Sequence, residues 1–88
     1  MGILQQIKRL VENGLYYLTE HAVEEASIDD LDIYDVEYVL LNGRIRKTWP
    51  KEAKFEVVGK SLHGQKVGVV CRITKGHKVR VITVYEDQ

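Results

Sequence analysis

The chain has 88 residues, enough for one small domain and no second. With 44% hydrophobic and 30% charged residues, one Pro and seven Gly, it has a globular balance that excludes collagen-like and Pro-rich chains. No apolar run approaches the roughly 18 residues of a membrane span. Residues 1–6 lack the pattern of a secretory signal, and Gln6 stands where a myristoylation start has Ser or Thr. Cys71, without an intrachain partner, lies among apolar residues and reads as a small buried side chain. The expectation is a soluble, cytoplasmic protein.

A net charge of zero conceals a segregation. Residues 1–43 hold two basic and nine acidic side chains, a net of −7. Residues 44–80 hold eleven basic and two acidic ones, a net of +9. A basic half can bind phosphates. The plainer reading is two layers that attract each other or are simply solvated.

Ile3, Ile7, Leu10 and Val11 fall on one helical face, and Asn13-Gly14 supplies a stop. Residues 15–18 are short, apolar and aromatic, either a brief strand or a tight link. Thr19 suits the N-cap of a helix running to about Ala26, with Ala22 and Ala26 on one side. Residues 27–31 read as a loop. Asp32 caps a further helix, with Asp35 completing a capping-box pair. Val36, Val39 and Leu40 form its buried stripe, which Ile33 starts, and Asn42-Gly43 ends it.

After Gly43 the period changes from helical to two. Four strands are expected, over about 44–49, 54–60, 66–73 and 78–85. Trp49-Pro50 ends the first of them. Gly-containing segments at 61–65 and 74–77 have hairpin length. The fold class is therefore α+β, with N-terminal helices packed on a four-stranded antiparallel meander in two layers. The whole chain, 1–88, forms one domain. Residues 1–14 are a helical extension, 15–43 the helical layer and 44–88 the sheet. Alternation groups Val67, Val69, Cys71 and Ile73 on one face, and Val79, Val81, Thr83 and Tyr85 on one side of the last strand. Parity leaves open which face Thr83 and Tyr85 use. The face away from the helices carries many of the basic residues.

Thr19-Glu20-His21-Ala22, Asp35-Val36, Asn42-Gly43, Phe55 to Lys60, Val69-Val70 and Ile82-Thr83-Val84-Tyr85 stand in an order seen elsewhere. Over about residues 16–86 the chain resembles a bacterial domain-of-unknown-function family, number 4258. That family is grouped by fold with RelE-like and barnase/EndoU/colicin-type ribonuclease toxins. The resemblance implies a RelE-like helical layer on a curved sheet, with a metal-independent RNA-cleaving site on the concave side. It also implies a place in a toxin-antitoxin pair. The family usually has an Arg four residues after the His and an Arg-Gly pair before the next helix cap. This chain has Glu25 and Asp29-Asp30 there, and acids repel a scissile phosphate.

Metal-independent RNA cleavage needs a base, an acid and cations for the phosphate. His21 is the candidate acid or base, since His is the residue type that titrates near neutral pH. Glu25, one turn later, would orient it. Arg72 and Arg80 would hold phosphate from neighbouring strands, and Tyr85 would stack on a base or donate a hydrogen bond. Lys54, Lys60, Lys78 and Thr83 complete the RNA-contact candidates. Each has a plainer role, from capping residue for His21 to half-buried strand aromatic for Tyr85. His21, His63 and His77 have no metal-ligand spacing, so no metal site is expected. Nor is any cofactor, for the chain has no nucleotide or dinucleotide loop and no Gly-x-Ser-x-Gly. Partners on these readings are RNA, an antitoxin or another protein, or a second copy. The alternative to RNA binding is a non-catalytic interaction domain that uses the acidic helical layer.

Overall fold

Two helices begin where short polar side chains can replace missing backbone partners. The structure, a computed structural model, describes residues 2–87. The Thr19 hydroxyl accepts from the Ala22 amide at 3.1 Å and starts α2 (Glu20–Ile28). Asp32 accepts from the Tyr34 and Asp35 amides, and Asp35 returns the bond to the Asp32 amide, so α3 (Ile33–Asn42) opens on a complete capping box. The other oxygen of Asp35, itself buried, accepts from the Leu62 amide at 3.2 Å and ties α3 to a hairpin. The amphipathic α1 (Ile3–Glu12) buries Ile7 and Val11.

The sheet contains β1 (Tyr16–Leu18), β2 (Arg44–Trp49), β3 (Lys54–Lys60), β4 (Lys66–Ile73) and β5 (Val79–Glu86), with a 3-10 turn at Pro50–Glu52. Its order is β1-β5-β4-β3-β2, and β1 runs parallel to β5. The expected four-stranded meander therefore gains a fifth, parallel strand from the segment assigned to the helical layer. Tyr16 and Leu18 pack on the core, and the Tyr16 hydroxyl donates to Glu37 of α3 at 2.5 Å, which fixes this short edge.

The three helices cover one face. Val57, Val69, Val81 and Val84 from the strands meet Ile7, Ala22, Val36, Val39 and Leu40, and all nine are fully or almost fully buried. The buried Val, Ile and Leu side chains each contribute roughly 1.5–3 kcal/mol, the main stabilisation of so small a domain. Gly43 allows α3 to touch β3. A Cβ there would lie 2.5 Å from the Val58 carbonyl and 2.6 Å from that of Val39.

Three further expectations are corrected. Residues 27–31 are not all loop, because α2 continues to Ile28 before Asp29 ends it. Ile33 does not start the buried stripe of α3, since it is 44% exposed at the first turn. The grouping of Val79 and Val81 with Thr83 and Tyr85 is also broken. Val81 pairs with Cys71 and Thr83 with Val70, so Ile82 is an extra residue, a β-bulge. The bulge reverses the alternation and turns Thr83 and Tyr85 to the open face, while Val84 joins the core.

In the β4–β5 turn the left-handed position is taken by His77 (φ 59°), although Gly76 is adjacent. The His77→Gly variant should gain about 0.5–1 kcal/mol, because only glycine adopts this conformation without a Cβ clash. Thermal unfolding should show a rise of several degrees, and a fall would contradict this account of the turn.

Candidate nucleic-acid interface

The face of the sheet opposite the helices is lined across all five strands. Register places Trp49 beside Lys54, Lys54 beside Arg72, Arg72 beside Arg80, and Arg80 beside Tyr17. Three cations thus stand in one row with an aromatic at each end. Strand spacing makes the row roughly 19 Å long. The ammonium groups of Lys47 and Lys54 lie 4.8 and 5.1 Å from the centre of the Trp49 ring. Lys54, Arg72 and Arg80 line a shallow cavity of about 230 Å³ with Glu52 and Ile82. Lys54 also pairs with the Glu52 carboxylate at 3.1 Å, and Arg72 donates to the Glu52 carbonyl. Arg80 has no ion pair among the described residues.

Three sequence candidates are brought together here and the others lie elsewhere. His21 and Glu25 face each other on α2 at 3.3 Å. The other Glu25 oxygen accepts the Val84 amide at 3.2 Å, and Asp29 accepts the Glu86 amide at 3.1 Å. Beyond Val81, no strand among the described residues pairs with β5 on this edge, and the two acids accept from its backbone instead. Thr19, which caps α2, donates to the carbonyl of Ile82, and His21 is not among the residues that line the basic cavity. Thr83 is half-buried in the middle of the open face. Lys60 is exposed at the far end of β3 opposite Lys66, and Lys78 lies in the β4–β5 turn.

Tyr85 belongs to a second cluster. Its ring covers Gly68, where a Cβ would overlap it. Its hydroxyl donates to Glu56 and accepts from Arg46 at 2.7 Å. Arg46, the extra residue of a bulge in β2, also donates to both Glu56 oxygens and to Asp87 at 2.8 Å. Burial pushes the Glu56 carboxyl up, but the hydrogen bonds from Arg46 and Tyr85 outweigh it and hold the group below the usual carboxylate range. Burial, reinforced by the bond to Glu56, raises the Tyr85 hydroxyl to about 12. Burial and the bond to Glu37 likewise raise Tyr16 to about 12. Glu56 and Asp87 hold Arg46 charged more firmly than an isolated guanidinium. Burial also pushes the Cys71 thiol up to about 12, which removes it as a nucleophile near neutral pH.

Trp49, Tyr17, Arg46 and Glu56 were not among the sequence candidates. The row needs a register across five strands, and the cluster needs two bulges, neither of which periodicity reveals. No group of His, Cys, Asp and Glu among the described residues could hold a metal ion. No described helix is long and apolar enough to cross a membrane.

Fold and surface together define an α+β domain with an acidic helical layer and a basic, aromatic-bordered sheet face. Residues 18–86 match the family model described as Domain of unknown function (DUF4258), and the chain belongs to that family. No curated protein and no solved structure matches it.

The Arg46 cluster and the Tyr16–Glu37 bond should make stability depend on pH at both ends. The depressed Glu56 contributes stability above its ordinary value near 4.5, and that contribution is lost as pH falls through the lower folded value. The raised tyrosines contribute fully below about 10, and the contribution is lost as pH climbs to about 12. Tyr85→Phe should cost about 1 kcal/mol at neutral pH and reduce the alkaline loss. An unchanged alkaline unfolding curve for the variant would contradict the assignment.

Proposed function

We propose that this chain is an RNA-binding protein of the RelE-like ribonuclease-toxin superfold, with RNA lying across the open face of its sheet. The row Trp49, Lys54, Arg72, Arg80 and Tyr17 carries the proposal. Guanidinium and ammonium groups neutralise phosphates, and aromatic rings offer surfaces on which unpaired bases stack. The Glu56 and Asp87 charges would oppose binding, but both are engaged by Arg46.

Cleavage is a second reading, favoured by the His21–Glu25 pair on α2. His21 would move the proton and Arg80 would hold the phosphate. Glu25 is shared with the Val84 amide, and Tyr85 is already engaged with Glu56 and Arg46. Binding is therefore the function the geometry supports better.

One titration addresses both readings. Fluorescence anisotropy with single-stranded RNA over a range of salt, in chelator, should give a log–log slope of about −2 for three phosphate contacts. The double variant Arg72→Ala, Arg80→Ala should weaken binding at least about tenfold and flatten the slope by about 1.4. Absence of binding at low salt, or an unchanged slope in the variant, would refute the binding reading. Shortening of the RNA that disappears in His21→Ala would add cleavage, and intact RNA would exclude it.

A further inference from the structure

A cavity of about 650 Å³ lies on the helix side, between α1 and one end of the sheet. Its volume is in the range of small-molecule sites. Ile3 and Leu10 of α1 face Phe55 and Ile73 of the sheet across it, all partly buried on the edge of the core. Arg9, Lys75 and His77 are also among the lining residues, and no carboxylate is. Neither Arg9 nor Lys75 has an ion-pair partner among the described residues. Arg9 is one of only two basic residues in the first 43, and Lys75 comes from the segment that carries a net of +9.

The backbone adds an independent observation. Three non-glycine residues adopt positive φ, Asp30, Ala53 and His77. Two of them, Ala53 and His77, line this cavity. Non-glycine residues in the left-handed region are retained against a steric cost, and such positions gather at ligand clamps. At both positions glycine would relieve the backbone, but it would remove a methyl or an imidazole from the cavity wall. The cavity also lies partly outside the family's shared region, since α1 precedes the matched residues 18–86.

We infer that this cavity binds a small amphipathic anion, an aliphatic carboxylate, with its chain against Ile3, Leu10, Phe55 and Ile73 and its head at Arg9, Lys75 and His77. Apolar contact would supply the affinity and the cations the choice of head group. An RNA strand does not suit the apolar walls, and the site is separate from the open sheet face. A cavity of this size holds one short chain rather than a protein helix, which needs anchors over several turns.

The test is a two-dimensional NMR titration of the full chain with decanoate below its micelle concentration. Decyltrimethylammonium, with the same chain and the opposite charge, is the control. Decanoate should shift amides at the cavity, and the cation should shift them little. Arg9→Glu with Lys75→Glu should weaken decanoate at least about tenfold. His77→Gly should weaken it about threefold while unfolding at a higher temperature, so that loss cannot come from misfolding. Equal binding of both amphiphiles, shifts scattered away from the cavity, or undiminished binding by the charge-reversed variant would overturn the proposal.

Discussion

Beyond Val81 the last strand has no neighbouring strand on one edge among the described residues, and two side-chain carboxylates stand in for it. Glu25 of α2 and Asp29, the residue that ends it, four positions apart, accept from Val84 and Glu86, two residues apart on β5. A helical turn rises about 5.4 Å, and two residues of strand about 6.8 Å, so the two spacings run nearly together. An open strand edge is thereby closed by a helix. The anchorage starts at Thr19, whose amide and hydroxyl bond the Val81 and Ile82 carbonyls. The bulge at Ile82 lies between the strand-paired and helix-paired parts of β5 and turns Tyr85 to the open face. Tyr85 then covers Gly68 and joins Arg46 and Glu56.

This arrangement gives two of the nine acids of the first 43 residues a structural task. Glu25 and Asp29 stand where the family resemblance leads one to expect cations. Here they hold backbone amides, a task for which arginine has no acceptor. Asp35 does similar work for the β3–β4 hairpin. The cations, by contrast, are gathered in strands whose open face has no helix to pack on. What they face is solvent, which leaves them free for the phosphates of the proposed RNA.

Much of this was legible in the sequence because it is local. Thr19, Asp32 and Asp35 announce their caps by side-chain chemistry, and α3 ends at Gly43 as its stop signal predicts. β2, β3 and β4 keep the limits that alternation and turn residues suggest. The basic open face follows from the same alternation. β1 was harder, because three residues carry almost no period and its partner lies some sixty positions away. The bulges at Arg46 and Ile82 were invisible, since each is defined only against a neighbouring strand. For that reason Trp49 and Tyr17 could not be joined to Lys54, Arg72 and Arg80, nor Tyr85 to Arg46. Glu25 was legible as a partner of His21, but its bond to Val84 required the tertiary fold.

Amide hydrogen exchange at Val84 and Glu86 tests the central claim most directly. Both amides should exchange slowly in the native chain, as paired strand amides do. Glu25→Ala should release Val84 with Glu86 largely spared, and Asp29→Ala should do the reverse. Rapid exchange at both positions in the unsubstituted chain, or protection that survives both substitutions, would contradict the claim that these carboxylates complete the sheet.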